Sequence, residues 1–463
     1  MRWLPRIIPV ALALSAGACG LLWWQTGSAN VSLRLPGADR PSGMAAAPVI
    51  NLVGTTISGT GMLLPAPHPE PYAQWPGFRG TGTGRSAETG LLKDPAQAKV
   101  LWHIDLGEGY AGPALHSGRL YILDYADGSD ALRCLNANTG QEIWRHAYKV
   151  DVKRNHGMSR TIPAVDESVA LTLGPQCHVV AVNAYDGSFL WGKDLVRDYG
   201  TKVPPWYAGQ CPLLRNGKVY LAPAGEKVLL TALDAKTGAV IWEVPNPNQW
   251  KMTHSSIVEV MLDGQVTLVY CASGGVIGVA ESTGKVLWES TDWKVSIATV
   301  PSPVDLGAGR ILFTGGYGAG ALIGRVEKNG DAYALTVEKR MTSGILGSEQ
   351  QTPILLPEGR GVMAVNPSGD MVFMAQNGDI KWRSGGGNRY GSGAYLLADN
   401  TTYVINDTGT LSAIAADENR FQLLGSSKIM TDGRECWGPM ALADGRLYLR
   451  DLTRLFCLDL RAK

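Results

Sequence analysis

The sequence predicts an all-β fold, an eight-bladed β-propeller, and three observations support this. A hairpin motif that ends in tryptophan recurs along the chain, its copies lie about one blade apart, and the two ends of the repeating region supply complementary parts of one blade. The composition agrees, because 57 glycines, 26 prolines and only 18% charged residues are typical of short strands joined by tight turns.

Each copy of the motif reads as a strand, a polar turn and a second strand that ends in tryptophan. In the first copy, Gly140 follows Thr139 and can adopt the positive φ that a short hairpin with a bulge requires. Trp144 then lies on the second strand, where we expect deep burial between two sheets. The copies are Leu135–Trp144, Val182–Trp191, Leu233–Trp242, Val279–Trp288 and, shortened, Ala375–Trp382.

The spacing of the tryptophans gives the number of blades. Blades of four strands occupy about 40–50 residues, which matches the distance between successive copies. The interval from Trp288 to Trp382 is twice as long, so we predict a degenerate blade between them, with its outer hairpin at 325–341 and Asn329 and Gly330 in the turn. The predicted outer-strand positions are Trp102, Trp144, Trp191, Trp242, Trp288, about Val337, Trp382 and about Leu423.

The two ends of the repeating region fit one another. Lys99–Asp105 reads as an outer strand with no inner strands before it, whereas Met440–Leu460 reads as inner strands with no outer strand after them. Joining the two would complete an eighth blade and remove two exposed sheet edges. The alternative is a stack of independent sandwiches.

Three regions precede the propeller, which we place at residues 99–463. In residues 1–24, Arg2 and Arg6 precede an uncharged run, as in a signal or membrane-anchor segment whose N-terminus stays in the cytoplasm. Retention as an anchor, cleavage after residues 27–29 and lipidation of Cys19 are alternatives. Each would put the propeller on the periplasmic side of the cell envelope. Residues 25–72, rich in Pro, Gly, Ala and Ser, read as a linker.

Residues 73–98 read as a lead-in clasp. Trp75 and Phe78 are the two large aromatic side chains at its start, and we expect them to plug or clasp the propeller where its ends meet.

Charge and cysteine content argue against several functions. With 42 basic and 41 acidic residues the net charge is +1, so we expect no basic face for nucleic acid. The seven cysteines include no CxxC or CxxCH motif, which leaves a zinc finger and a c-type haem unsupported. Cys134 and Cys457 occupy equivalent places in neighbouring repeats. We expect buried thiols, with a disulfide as the alternative in an oxidising compartment.

The repeated pattern resembles that of the pyrroloquinoline-quinone (PQQ) type β-propeller superfamily, which includes quinoprotein alcohol dehydrogenases and BamB-like assembly lipoproteins of the outer membrane. The resemblance covers residues 75–463 and rests on the recurring Asp or Asn, the turn glycine and the tryptophan. The lead-in at 75–80, with 108–114 and 193–200, looks like that of envelope propellers found in planctomycetes and related bacteria. The resemblance implies the fold strongly and the activity weakly, since the shared residues are structural.

Ligands of propellers bind at a mouth of the central channel, where the inner strands converge. Residues just before the prolines that open the inner strands should meet there and offer aromatic planes, two arginines for carboxylates, one histidine and one acid. The alternative is that they bond one another and water in a narrow channel. The candidate residues are Tyr110, Arg160, Trp206, Tyr207, Gln210, His254, Gln350, Gln351, Arg389, Tyr390, Glu435 and Trp437.

The same residues give little support to catalysis. Quinoprotein dehydrogenases of the resembled superfamily typically carry adjacent cysteines over the quinone, and this chain has no such pair. Glu435 is the only acidic candidate, so the candidate residues offer too few carboxylate ligands for a calcium site. His254 could act as a general base, but no partner is suggested by spacing.

We therefore expect a non-catalytic, membrane-tethered module without a metal, which binds an envelope protein or a small ligand. The alternative is a quinone-dependent dehydrogenase acting on an alcohol or sugar, and PQQ stays possible by resemblance. Trp250 and Trp293 are candidate contact anchors on the rim, and packing under their own loops is the alternative for both.

Overall fold

The computed structural model describes residues 15, 17–18, 49–59, 74–330 and 332–462. Strands in these residues form eight antiparallel sheets that follow one another along the chain as the blades of a propeller. The predicted signal or anchor segment, and with it Arg2, Arg6 and Cys19, lies outside the described residues. In the part of the chain that is described, no helix is both long and apolar enough to span a bilayer.

Blades 1 to 4 each run from an inner strand at the channel to an outer strand. Their strands are Ala114–His116, Arg119–Ala126, Ser129–Asn136 and Glu142–Lys149 in blade 1; Ala164–Val165, Val169–Leu173, His178–Asn183 and Phe189–Asp194 in blade 2; Leu213–Arg215, Lys218–Leu221, Val228–Asp234 and Val240–Pro245 in blade 3; Val258–Leu262, Gln265–Cys271, Val276–Ala280 and Val286–Ser290 in blade 4.

Blades 5 to 8 repeat this order. Their strands are Val304–Gly307, Arg310–Gly315, Gly320–Asn329 and Ala332–Met341 in blade 5; Ile354–Leu355, Val362–Val365, Met371–Met374 and Ile380–Arg383 in blade 6; Tyr395–Ala398, Thr401–Ile405, Thr410–Ala415 and Leu423–Lys428 in blade 7; Ala441–Ala443, Arg446–Arg450, Arg454–Asp459 and Lys99–Asp105 in blade 8.

Helical structure within residues 49–59, 74–330 and 332–462 is short. It comprises the turns Arg79–Gly82, Pro95–Gln97 and Pro357–Gly359 and the helix Leu195–Tyr199. The Asp194 side chain caps that helix by accepting hydrogen bonds from the backbone of Val196 and Arg197, and Gly200 ends it in the left-handed conformation.

Two faces follow from this meander. Loops that join consecutive blades, such as residues 291–303, lie on the upper face together with the turns between second and third strands. Turns between third and fourth strands, such as that at Gly140, lie on the lower face. The inner strands surround the channel that connects the two faces.

The eighth blade closes the ring as the sequence predicts. Lys99–Asp105 pairs antiparallel with Arg454–Asp459, and Trp102 lies opposite Cys457. The degenerate blade is also confirmed. It is blade 5, whose outer hairpin covers Gly320–Met341 and is therefore longer than the predicted 325–341.

Part of the predicted linker belongs to a blade instead. Thr55–Ser58 pairs antiparallel with the outer strand of blade 1, with Ser58 opposite Trp144, and makes that sheet five-stranded. These four residues contain three β-branched side chains and no Gly or Pro, which suits an added edge strand. The linker assignment for 25–72 is therefore wrong for these residues.

The tryptophan of each regular motif connects its own blade to the next one. The Trp144 ring lies on Gly187 of the next turn so closely that a Cβ there would be 2.6 Å from the ring. Its indole Nε1 donates to the Tyr185 carbonyl oxygen at 3.0 Å. The same bond joins Trp102 to Ala137, Trp191 to Ala235, Trp242 to Glu281 and Trp382 to Asp417.

Blade 5 interrupts this series in two ways. Trp288 of blade 4 packs against the long hairpin of blade 5, and its buried Nε1 has no hydrogen-bond partner among the described residues. The outer strand of blade 5 has no tryptophan that could pack against blade 6. Lys339 takes that place, and its Nζ donates to the Asn377 carbonyl oxygen at 3.1 Å and to Asp379 at 2.8 Å.

Candidate functional site

The lead-in segment crosses the channel near the lower face. Trp75 is buried and exchanges backbone hydrogen bonds of 3.0 and 2.8 Å with Leu115 of blade 1. On the opposite side of the ring, Arg79 donates to the carbonyl oxygens of Thr352 and Pro353 in the approach to blade 6. Ser86 then donates its backbone N–H to Leu397 of blade 7 at 2.8 Å. The segment therefore ties opposite blades together across the axis.

This crossing divides the channel into two cavities. The upper cavity, about 260 Å³, opens between the loops that join the blades, and the lower one, about 320 Å³, lies between the lead-in and the inner strands of blades 2 to 6. Phe78, Cys211 and Ser256 line both cavities. Phe78 of the lead-in therefore lies between the two cavities and lines the inner end of the upper one.

Seven of the twelve predicted residues line the upper cavity. They come from six different blade connections, which is why their convergence depends on closure of the ring. These residues are Tyr110, Arg160, Trp206, His254, Gln350, Gln351 and Trp437.

Tyr110 and Trp437 form an aromatic pair on one wall. Their rings stack with centroids 5.3 Å apart, and the Tyr110 hydroxyl donates to the Glu435 carboxylate. Trp437 Nε1 donates to Asp407 Oδ1 at 2.7 Å, and the same oxygen accepts the Ser392 backbone N–H at 2.9 Å. Burial and the bond to Glu435 raise the pKa of Tyr110. The hydroxyl therefore stays protonated near neutral pH.

Arg160 lies beside this pair with few partners. Its Nη2 donates to the Asn155 carbonyl oxygen at 2.9 Å, and its guanidinium carbon lies 5.1 Å from the centre of the Tyr110 ring. The buried Nε has no hydrogen-bond partner in the described part of the chain. Burial lowers the pKa of Arg160, as expected for a charge removed from water.

His254 is held in its neutral form. Burial and the nearby Arg160 charge lower its pKa to about 4. Its Nε2 lies 2.9 Å from the Tyr207 carbonyl oxygen, which fixes the proton on Nε2 because a carbonyl only accepts. A histidine with this pKa is a weak base at pH 7.

The remaining candidates lie around the cavity rather than in its lining. Tyr207 supports His254 through its backbone, and its hydroxyl donates to Lys153. Gln210 is fully buried and bonds the backbone of Ala222 in both directions. Tyr390 is buried in the core between blades 6 and 7. Glu435 accepts the Tyr110 hydroxyl.

Arg389 opens into a different cavity. This second upper-face cavity, about 430 Å³, lies over blades 6 and 7 and shares Gln350 and Gln351 with the first. The structure places Arg160 and Arg389 in the linings of two different cavities that share Gln350 and Gln351, and the expectation that both meet carboxylates of one ligand stays a prediction.

Some residues at the mouth were missed by the sequence reasoning. Tyr317 and His156 line the upper cavity, and Asp407 holds Trp437. Tyr317 and Asp407 lie in turns between second and third strands, which share the upper face with the blade connections. Assigning all four strands within each repeat would have placed these turns on the same face as the blade connections.

Trp250 and Trp293 are not contact anchors. They are only 8% and 4% exposed, and Trp293 stacks on Phe313 with centroids 6.3 Å apart. Each ring packs under its own loop because the adjoining blade leaves an apolar space there. The alternative that both tryptophans pack under their own loops is therefore correct.

The described cysteines are buried free thiols. This set is Cys134, Cys177, Cys211, Cys271, Cys436 and Cys457. Cys211, at the cavity wall, accepts a hydrogen bond from the Ile162 backbone N–H, and burial raises its pKa to about 11. The expectation of buried thiols is confirmed for these six.

The donor set of the upper cavity fits a cation-assisted quinone poorly. Among the described residues, no Asp or Glu lines this cavity, and no three His, Cys, Asp or Glu side chains group closely enough to hold a metal ion. Hard cations such as calcium need several oxygen ligands. Arg160 is also the one arginine in this lining, so a tricarboxylate would meet a single positive charge.

Comparisons with known proteins agree with the propeller. The family model described as outer membrane protein assembly factor BamB matches residues 91–156 and 129–346. A tetrathionate hydrolase of Acidithiobacillus ferrooxidans is 27% identical over 258 residues, covering 52% of this chain and 46% of that protein. The dehydrogenase subunit of a quinone alcohol dehydrogenase of Gluconobacter oxydans is 27% identical over 214 residues, covering 42% and 26%. The chain thus spans less than half the length of these curated relatives.

Two solved structures share the fold. BamB of Moraxella catarrhalis superimposes with a TM-score of 0.55 at 14% identity, over 78% of this chain and 99% of that chain. The quinohemoprotein alcohol dehydrogenase of Comamonas testosteroni gives 0.58 at 12% identity, over 84% and 81%. The family model spans more than half of the sequence. This chain belongs to the PQQ-like β-propeller family described as outer membrane protein assembly factor BamB.

Proposed function

We propose that this protein is a non-catalytic binding module of the cell envelope, which holds a small ligand or an envelope protein at its upper face. The observation that carries the proposal is that the groups able to do chemistry at the mouth are bonded to one another. Tyr110 donates to Glu435, Trp437 donates to Asp407, and His254 is neutral and bonded to Tyr207. A general base with a pKa near 7 is what catalysis would need there.

Variants of the upper face test the partner-binding half of the proposal. Tyr317 lines the cavity and is 42% exposed, and Ile297 in the adjoining blade connection is 54% exposed. Crosslinking in envelopes should capture a protein that Tyr317→Ser and Ile297→Ser together lose. Met261→Ser, at an exposed apolar residue beside a lower-face turn, is the matched control and should retain capture. Equal capture by all variants would contradict an upper-face partner.

A quinone-dependent dehydrogenase is the second candidate. It is favoured by the aromatic walls and Arg160 of the upper cavity, and by the similarity to the quinone alcohol dehydrogenase subunit. The test is to add PQQ and calcium to purified protein and to follow quinone absorbance and reduction of an artificial electron acceptor. Binding with turnover would replace the first proposal by the second. Absence of binding at high micromolar quinone would exclude the dehydrogenase as a function of this protein.

The envelope location is part of the proposal. It is supported by the charged and apolar pattern of residues 1–24 and by the family description. Protease added to intact spheroplasts should degrade the full-length chain but spare a chain that begins at residue 25, which would stay inside. Protection of the full-length chain would contradict a periplasmic propeller.

A further inference from the structure

Three arginines near the axis lose most of their water, Arg450 being buried and Arg79 and Arg160 half-buried, and two of them have nearly complete sets of acceptors. Arg450 donates to the carbonyl oxygens of Gly107, Ala111, Asp451 and Leu452. Arg79 donates to those of Thr83, Thr352 and Pro353. Backbone oxygens thus replace the water that each guanidinium loses, as buried charges require.

Arg160 differs from both. It has one carbonyl acceptor, Asn155, and the face of the Tyr110 ring. Among the described residues, no carboxylate lies within 4.0 Å of its guanidinium, since none of the ion pairs includes it. The Glu435 carboxylate acts on Arg160 only through space, as one of the charges that oppose the effect of burial on its pKa. A half-buried cation with donors left over in a cavity is stabilised when an anion binds to it directly.

The rest of the lining contains no Asp, Glu, Lys or second Arg and is largely apolar. His254 is uncharged at pH 7, because burial lowers its pKa to about 4. Phe78, Ile162, Trp206 and Val300 supply apolar surface opposite the arginine. Arg389 opens into the neighbouring cavity and adds no charge here.

We infer that the upper cavity binds a small organic monoanion, a single carboxylate on an aromatic or aliphatic body, with the carboxylate on Arg160. This ligand class rests on the proposed binding function, because it describes the occupant of the same site. A bidentate guanidinium–carboxylate pair would use the unsatisfied donors, and the apolar body would cover the aromatic walls. A cavity of about 260 Å³ accommodates a ligand of this size but leaves the extra carboxylates of a tricarboxylate without a cation.

The test measures binding of 4-fluorophenylacetate by fluorine NMR, with the neutral 4-fluorophenylacetamide as the matched probe. We expect the carboxylate to bind at least about tenfold more tightly than the amide, the preference that one charge-assisted bond provides. Arg160→Gln should abolish this preference and Arg160→Lys should retain part of it. Arg389→Gln, in the neighbouring cavity, should change the affinity less than about twofold.

A second measurement, the melting temperature, tests whether a loss of binding in the variant comes from misfolding. Without a probe, Arg160→Gln should melt no lower than the wild type, because the variant removes a charge that burial disfavours and that forms no direct ion pair in the described residues. A lower melting temperature together with an unchanged preference for the carboxylate would mark Arg160 as structural and overturn the inference.

The other outcomes are also decisive. Equal binding of acid and amide, or no binding of 4-fluorophenylacetate, 4-fluorobenzoate or 6-fluorohexanoate below about 10 mM, would overturn the ligand class. Tighter binding of PQQ without turnover would overturn the ligand class but leave a binding module. Turnover of PQQ with an alcohol would overturn the proposed function itself.

Discussion

At the scale of single residues, Asp130 is the acid most affected by burial. It lies in the third strand of blade 1 with no solvent exposure, and its Oδ2 accepts the Tyr148 hydroxyl at 2.8 Å while Oδ1 has no partner in the described part of the chain. Burial is the main cause that raises its pKa to about 7. The carboxyl is therefore protonated when the protein is folded in mild acid.

We expect this group to make the protein less stable as pH rises. The folded pKa lies above the unfolded value of about 4, so the contribution is complete below pH 4 and is lost as pH rises to about 7. The loss is on the order of 4 kcal/mol. Urea denaturation at pH 5 and pH 8 should show about 3 kcal/mol of this loss in the wild type, and Asp130→Asn should flatten the difference. A variant with the same pH slope as wild type would contradict the assignment.

A second residue-scale expectation concerns the inter-blade tryptophans. Trp144→Ala should cost about 3–5 kcal/mol of unfolding free energy, as for other buried aromatics, and should not change ligand preference. A sharper comparison uses phenylalanine. Trp144→Phe leaves the Tyr185 carbonyl without its donor, whereas Trp288 has no acceptor to lose.

The cost of Trp144→Phe should therefore exceed that of Trp288→Phe by about 1 kcal/mol. Chemical denaturation of the two variants measures it. Equal costs would mean that the indole N–H contributes no net stability at Trp144.

At the scale of elements, the strand Thr55–Ser58 covers the outer edge of blade 1. A chain that begins at residue 47 retains this strand, and one that begins at residue 60 lacks it. We expect the shorter chain to stay folded but to self-associate, because the outer strand of blade 1 becomes a free edge. Light scattering during a concentration series would measure this. Identical light scattering by the two chains would show that the strand does not prevent self-association.

Elements differ in how far the sequence could predict them. Blade number and closure follow from the spacing of the Trp motifs, because the repeat imposes the same packing on each copy. Thr55–Ser58 lies outside any repeat, so its pairing with blade 1 has no periodic signal. Tyr317 and Asp407 were missed for a related reason, since turn residues reach the mouth through loop conformation, which the repeat does not specify. The surroundings of Arg160 depend on which side chains pair with one another, and the repeat does not predict these pairings either.

At the scale of the whole molecule, the lead-in ties opposite blades across the axis. Arg79 donates to blade 6 from a segment that starts on blade 1. Arg79→Gln should cost about 3 kcal/mol, because charged hydrogen bonds to buried carbonyls are lost. Arg85→Gln, which loses one bond of 3.3 Å to Leu355, is the control and should cost under about 1 kcal/mol. Thermal and urea unfolding compare them, and equal costs would contradict a special role for Arg79.

Phe78, at the inner end of the upper cavity, also bears on the order of binding that the proposed function implies. A ligand of the upper cavity would enter and leave past the loops that would also receive a protein partner. A partner seated on that mouth would trap a bound ligand and bar a free one. Loading must then precede partner binding, and release must wait for the partner to leave, so the residence time of the complex would set the exchange rate of the ligand.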